Sequence, residues 1–129
     1  MITTHKRKNG EITLAVAFRG TADLDDALAD FNCGLEPTKH FSSKTHKCLV
    51  HSGFQDRYEW YRKNILNEIE TMGSKFDEIL ITGHSLGGAL ATLCYMELSQ
   101  KRNKVYICSN CTLFFRFSGL SLIFSLGII

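Results

Sequence analysis

The chain has 129 residues, a formal net charge of +2, 44% hydrophobic residues and 22% charged residues. This length suits one domain, and this composition is typical of a globular protein. The basic run His5-Lys6-Arg7-Lys8 is short, and no nucleic-acid-binding pattern is present, so we expect no nucleic-acid partner. Residues 1–10 lack the apolar core of a signal peptide, which favours a cytosolic product unless the chain begins inside a longer gene.

The first half of the chain predicts two strands separated by an amphipathic segment. Ile12–Phe18 is mostly apolar and predicts a buried strand, preceded by a turn signal at Asn9-Gly10. Asp23–Phe31 spaces apolar residues three and four apart among aspartates, which predicts a short amphipathic helix. Residues 32–47 predict a loop, and Cys48-Leu49-Val50 predicts a brief strand.

The second half alternates helical and strand patterns. The strongest helical pattern runs from Phe54 to Met72, with Ser52 as the expected N-cap and Gly73 as the expected stop. Three later segments predict a strand, a helix and the start of a strand, in this order: Ile79–Thr82, Leu86–Gln100 and Lys104–Ile107. Such alternation predicts an α/β fold with a mostly parallel central sheet and flanking helices.

Histidines and cysteines do not form a standard metal pattern. Four of them crowd one stretch: His40, His46, Cys48 and His51. Their spacing fits no zinc finger, so we favour ordinary loop residues over a metal site. Cys108 and Cys111 form a lone C-x-x-C, for which we favour coincidence over half a zinc site or a redox pair.

Residues 108–129 form an apolar tail that differs from residues 1–107, which we assign to one domain. Between Val105 and Ile129 the only charge is Arg116. Leu113–Ile129 is at the short limit for a membrane helix, which needs about 20 apolar residues. Three interpretations stay open: a membrane anchor that contacts lipid through 113–129, an apolar core segment, or sequence foreign to the domain.

The motif Gly83-His84-Ser85-Leu86-Gly87 lies between a predicted strand and a predicted helix. In this context G-x-S-x-G predicts a nucleophile elbow, where glycines permit a sharp turn that presents the serine hydroxyl. Ser85 is therefore the candidate nucleophile. His84 points elsewhere on such a turn, which favours a structural role over that of a base.

Three ordered blocks of this sequence resemble the class 3 lipases, a family of α/β hydrolases: Ala17-Phe18-Arg19-Gly20-Thr21, Val50-His51-Ser52-Gly53-Phe54 and Ile81 to Ala91. The resemblance implies a partial α/β-hydrolase fold, with Ser85 as nucleophile and with Thr21 and the N–H of Leu86 as oxyanion-hole donors. It also implies a mobile lid after Thr21. We expect Arg19 to pair with a core carboxylate and His51 to hold the start of the long helix. No metal or cofactor is implied, because acyl transfer to serine needs none.

The resemblance stops before an acid and a base appear. In α/β hydrolases an acidic residue and then a histidine follow the nucleophile along the chain. Here all five histidines precede Ser85, no aspartate follows it, and Glu97 is the only acidic residue downstream. We therefore expect a lipase-like serine hydrolase of lipid or other esters whose triad lacks its acid and base in this chain. Two alternatives stay open: a non-catalytic lipase-like protein that binds lipid or a partner, with or without a membrane tether, and an incomplete gene product.

Overall fold

The computed structural model describes residues 1–20, 34–42, 48–110, 112–117 and 120–125. Within these residues the chain forms eight strands and two helices. In chain order they are β1 Ile2–Lys6, β2 Ile12–Phe18, β3 Leu35–Pro37, β4 Cys48–His51, α1 Ser52–Met72, β5 Glu78–His84, α2 Leu86–Ser99, β6 Val105–Asn110, β7 Thr112–Phe117 and β8 Leu120–Ser125. They build two sheets, with strand orders β1-β2-β5-β6 and β3-β4-β7-β8.

The first sheet is the central one, and it is mostly parallel as the sequence predicts. β1 runs antiparallel to β2, whereas β2–β5 and β5–β6 are parallel pairs. In the register of β2 and β5, Leu14 lies opposite Ile79 and Val16 opposite Ile81. These four side chains are at most 1% exposed. They share one face of the sheet because cross-strand partners point to the same side, and α2 packs on the central sheet beside them.

Four strands were not predicted: β1 and β3, and the tail strands β7 and β8. β1 pairs with β2 along Ile2 to Lys6, yet its side chains are mostly exposed and carry no apolar alternation. Its position depends on backbone pairing across the turn and on the ion pair between Arg7 and Glu78, 2.6 Å apart, which a local pattern does not contain. β3 lies within the predicted loop 32–47, where three residues ending at Pro37 pair with β4.

Helix α1 begins one residue earlier than its predicted cap allows. Ser52 is already helical, so His51 occupies the N-cap position, and its side chain makes no capping hydrogen bond. The N-cap prediction for Ser52 is therefore wrong. The stop at Gly73 is confirmed: its φ of 56° is a conformation that glycine adopts easily, and its N–H bonds to the carbonyls of Ile69 and Glu70.

A buried carboxylate joins the two helices. Glu97 of α2 is 0% exposed and accepts hydrogen bonds from Tyr58 Oη at 2.9 Å, from Arg62 Nε and Nη2 at 2.8 Å each, and from Lys101 Nζ at 2.5 Å. Burial alone would raise the pKa of Glu97. The donors from Arg62, Lys101 and Tyr58 outweigh burial and lower that pKa to about 2. Burial also raises the pKa of the neighbouring Cys94 thiol to about 12.

The tail contributes strands to both sheets. β6 continues past the predicted boundary at 107 to Asn110, and residues 112–117 and 120–125 form the antiparallel pair β7–β8. The single helix that the membrane-anchor interpretation requires is therefore not formed by these residues. In the part of the chain that the structure describes, no helix is both long enough and apolar enough to cross a membrane.

Candidate active site

Ser85 occupies a strained turn between β5 and α2. Its backbone has φ 55° and ψ −126°, and Ser85 and Lys104 are the non-glycine residues with positive φ in the described chain. A serine in this region costs about 1–3 kcal/mol, which surrounding contacts must offset. The sharp corner that the G-x-S-x-G pattern predicts is therefore present at Ser85.

Three glycines allow the backbone to close around this corner. A β-carbon on Gly83 would overlap the carbonyl of Gly87, and one on Gly87 would overlap the carbonyl of Phe18. A β-carbon on Gly20 would lie 2.5 Å from the carbonyl oxygen of His84. The end of β2, the corner and the first turn of α2 are thus in direct backbone contact, and any side chain at these glycines would separate them.

The hydroxyl of Ser85 is shielded from solvent and has no hydrogen-bond partner among the described residues. The hydroxyl of Ser109 is also shielded and without a hydrogen-bond partner among the described residues. Ser109 lies opposite Gly83 in the register of β5 and β6. Buried hydroxyls are nearly always hydrogen-bonded, so each exception needs an explanation. Here the two exceptions lie at the carboxyl ends of adjacent parallel strands.

The start of α2 places backbone N–H groups next to Ser85. The carbonyl of Ser85 accepts the N–H groups of Gly88 at 2.8 Å and Ala89 at 3.2 Å. The N–H of Leu86 precedes them in the first turn, where helical N–H groups have no partner within the helix. The helix dipole also places partial positive charge at this end. An oxygen that becomes negative beside Ser85 would be stabilised here.

The F-R-G block ends against the same corner. A β-carbon on Gly20 would be 3.6 Å from Cβ of Ser85. Thr21, the next residue, and the predicted helix at 23–31 lie outside the described residues. Arg19 is exposed, and no ion pair joins it to a carboxylate of the described chain. Four aspartates that follow it lie outside the described residues, so its expected pairing with a carboxylate stays a prediction.

The described histidines do not supply a base to Ser85. His84 is exposed at the end of β5. His51 occupies the N-cap position of α1, where its ring lies 4.9 Å from the ring of Phe54.

His40 lies toward the end of α2 that is far from Ser85. It bonds to Glu59 and lies beside Tyr58, whose hydroxyl bonds to Glu97 near that end. Glu97 is about 18 Å along the helix from Ser85 at 1.5 Å per residue.

The residues flagged as possible metal ligands are only partly described. His46 and Cys111 lie outside the described residues, and His40 is engaged with Glu59. In the part of the chain that the structure describes, no group of three His, Cys, Asp or Glu side chains could hold a metal ion. Glu97, the one acidic residue after Ser85, is committed to Arg62 and Lys101 and does not face Ser85.

Sequence reasoning missed two features of this site. The contact between Gly87 and the end of β2 depends on the parallel pairing of distant segments, so no local sequence pattern predicts it. The sequence analysis assigns Ser109 to the apolar tail, whereas in the structure β6 continues past Ile107 and Ser109 lies opposite Gly83. The alternation of helix and strand could have suggested that extension.

Comparison with known proteins places these features in a family. The model described as Lipase (class 3) matches residues 15–117. Lipase A of Sodiomyces alcalophilus is 35% identical over an alignment of 104 residues that covers 68% of this chain and 25% of that protein. The lipase of Rhizomucor miehei is 30% identical over 97 residues, 74% of this chain and 26% of that protein. The chain thus spans about a quarter of the length of these curated relatives.

Solved structures resemble the fold. The lipase from Rhizopus microsporus var. chinensis superposes with a TM-score of 0.64 at 29% identity, covering 77% of this chain and 36% of that one. A triacylglycerol lipase from Penicillium expansum superposes with a TM-score of 0.69 at 19% identity, covering 90% and 52% of the two chains. The second likeness supports the α/β-hydrolase fold alone.

Proposed function

The chain belongs to the class 3 lipase family, and from this membership we propose that Ser85 is the nucleophile of a carboxylic-ester hydrolase. One observation carries the proposal: the strained corner at the start of helix α2 holds a serine hydroxyl that has no hydrogen-bond partner in the described chain. A structural serine would gain by bonding its hydroxyl and by relaxing its backbone. A reactive serine, in contrast, needs an unbonded hydroxyl on a sharp turn, and Ser85 has both features in the described chain.

The proposed reaction is transfer of an acyl group to Ser85 followed by its hydrolysis. Ser85 Oγ forms a bond to the ester carbonyl carbon while its proton passes to a base, and the carbonyl oxygen becomes negative. The N–H of Leu86 and the donors of Thr21 would stabilise that oxygen, each contributing about 3 kcal/mol. The alcohol then leaves with a proton, and water releases the acid and regenerates Ser85. Because Oγ is shielded, substrate access requires a local opening.

The substrate we propose is a lipid ester. One relative is named as a secreted mono- and diacylglycerol lipase of Gibberella zeae, 29% identical over 105 residues. The same framework would accept other carboxylic esters, because the elements named here contact only the reacting carbonyl. The base is a separate matter. No histidine follows Ser85 in this sequence, so we expect the 129-residue chain by itself to keep only a residual acceleration, about 10³- to 10⁴-fold over water.

A second candidate function is lipid or partner binding without catalysis. The observation that favours it is that no described histidine is hydrogen-bonded to Ser85 Oγ. In that case the strained corner would be an inherited feature with no chemical use. The two candidates differ in one respect: only the first requires Ser85 to become acylated when a base is supplied.

Imidazole in the buffer can supply that base. We propose to measure hydrolysis of p-nitrophenyl butyrate at rising imidazole concentrations for the wild type, Ser85→Ala and Ser99→Ala. Ser99 is exposed at the end of α2 and serves as the matched control. The rate above that of Ser85→Ala should rise with imidazole in the wild type and in Ser99→Ala. Equal rates for all three proteins at every imidazole concentration would refute the hydrolase proposal.

A further inference from the structure

The two edge strands of the central sheet differ in charge. Among the described strands, β1 forms one edge of this sheet and β6 forms the other. β1 carries exposed His5 and Lys6, and Lys8 follows in the turn. β6 reads Val-Tyr-Ile-Cys-Ser-Asn, and no charged residue follows it before Arg116. Because natural sheets protect their edges with lysines, prolines or bulges, β1 is a protected edge and β6 is not.

The outer side of β6 offers backbone groups to a further strand. β6 pairs with β5 along its whole length, from Val105 to Asn110. A strand forms backbone hydrogen bonds on two sides, so β6 presents a second row of N–H and C=O groups away from β5. No described strand pairs with that row, and α2 contacts β6 from one face of the sheet. The row can therefore accept an additional strand.

The sheet face that points away from α2 is open at β6. Tyr106 is 51% exposed, and Cys108 is exposed as well. In the register with β5 they lie opposite Leu80 and Thr82, on the other face from the buried Ile81. Tyrosine is enriched in protein–protein interfaces, because its ring is apolar and its hydroxyl can bond. A half-exposed tyrosine beside an uncharged edge therefore indicates a protein partner.

We propose that β6 pairs antiparallel with β6 of a second copy of this chain, so that two central sheets join across a two-fold axis. The same surface then serves both copies, as in most symmetric dimers. Directly opposite residues of an antiparallel pair point to the same face, which centres the axis on Ile107 or Cys108. Tyr106 then lies opposite Cys108 or Asn110 of the second copy. This inference does not depend on the proposed function.

Charge favours a second copy as the partner. In the pairing centred on Ile107, Lys104 of one copy lies opposite Asn110 of the other. The two Lys104 positions are then about 20 Å apart along the strands, at about 3.3 Å per residue. Charges at this separation are largely screened, since the Debye length is about 8 Å at physiological salt. Pairing of β1 with itself would instead bring the basic side chains of two copies onto one short pair of strands.

A charge placed on this edge tests the proposal. Sedimentation equilibrium of the wild type should show a reversible dimer whose share rises with protein concentration. Tyr106→Lys places an ammonium group on each paired strand and should weaken dimerisation by about tenfold or more. Trp60→Lys is the matched control, because Trp60 is an aromatic residue on α1 that is 70% exposed. It should change the dimer dissociation constant by less than about twofold.

Two outcomes of this measurement would overturn the proposal. One is a wild type that stays monomeric at every concentration. The other is equal dimerisation of Tyr106→Lys and the wild type, because the association would then involve another surface, such as β8, which ends the second sheet and is also uncharged.

Cross-linking at Cys108 tests the pairing without a change in the charge of the strand. Cys48 and Cys94 are buried, whereas Cys108 is exposed. Cys111 lies outside the described residues, so the experiment uses a Cys111→Ser background. A short bis-maleimide should join two copies through Cys108, because antiparallel pairing brings these residues within two positions of each other. Cys108→Ser should abolish the cross-link. Equal cross-linking of the two proteins, or none in either, would contradict the pairing.

Discussion

The two ends of helix α2 are built on opposite principles. At its start, Ser85 sits in a strained conformation with a hydroxyl that bonds to nothing in the described chain. Near its end, the carboxylate of Glu97 is fully buried and receives hydrogen bonds from Tyr58, Arg62 and Lys101. The start of α2 thus has a strained serine whose hydroxyl has no partner in the described chain. The end of α2 has a buried carboxylate whose hydrogen bonds connect α2 to α1. The contrast indicates that the Glu97 end holds the two helices together, and it is compatible with the proposal that Ser85 is the nucleophile.

The largest expected effect comes from a substitution of Glu97, the hydrogen-bonded carboxylate near the end of α2. Glu97→Gln removes the carboxylate that Arg62 and Lys101 share and should lower the free energy of unfolding by about 3 kcal/mol. Urea unfolding followed by Trp60 fluorescence measures this loss. Glu70→Gln, an exposed site on α1, is the matched control and should change stability by less than about 0.5 kcal/mol. A similar small change for Glu97→Gln would show that the network does not stabilise the fold.

The same carboxylate makes stability depend on pH. The pKa of Glu97 is lowered from 4.5 to about 2 in the folded protein. The unfolded chain therefore binds this proton first as pH falls, so the stabilisation is complete above pH 4.5 and is lost as pH falls toward 2. Unfolding titrations across this window should show a steeper loss for the wild type than for Glu97→Gln. Parallel curves would contradict the lowered pKa.

The close backbone contact at the corner predicts a smaller loss. Gly83→Ala places a β-carbon onto the carbonyl of Gly87, and we expect a destabilisation of about 2 kcal/mol, as for other overpacked sites. Gly34→Ala is the control, because a β-carbon there would meet nothing within 4 Å. Thermal unfolding of the two variants should differ clearly. Equal midpoints would show that the corner has room that the structure does not contain.

The strain at Ser85 predicts the smallest effect, and here the substitution should increase stability rather than reduce it. Ser85→Gly removes the shielded hydroxyl and suits the positive φ, so it should raise the free energy of unfolding by up to about 1 kcal/mol. It should also abolish the imidazole-dependent part of ester hydrolysis. A destabilised Ser85→Gly would mean that the hydroxyl or the β-carbon contributes packing that outweighs the strain.

The elements near Ser85 could be predicted because local patterns determine them. Ile12–Phe18 is the observed strand β2, and the G-x-S-x-G turn lies where the motif indicates. β1 could not be predicted, because its exposed residues acquire order only by pairing with β2. Ser52 fits the preference for an N-cap, but the chain enters α1 directly from β4, and the helix therefore starts earlier.

The site could be predicted only in part, for a similar reason. The motif alone predicts the turn at Ser85, whereas the exposure of Arg19 and the engagement of Glu97 with Arg62 depend on how distant segments pack. The alternation of charge along the chain does not say which carboxylate a given arginine will meet. Thr21 and the predicted helix at 23–31 lie outside the described residues, so their roles stay predictions.

The most direct test of the central claim is the identity of the residue that an activated phosphonate modifies. The protein would be incubated with an alkyl fluorophosphonate in imidazole buffer and digested, and the adduct would be located by mass spectrometry. We predict a single adduct on Ser85 in the wild type and in Ser99→Ala, and none in Ser85→Ala. Modification spread over several serines, or none at Ser85, would contradict the claim that this corner presents a nucleophile.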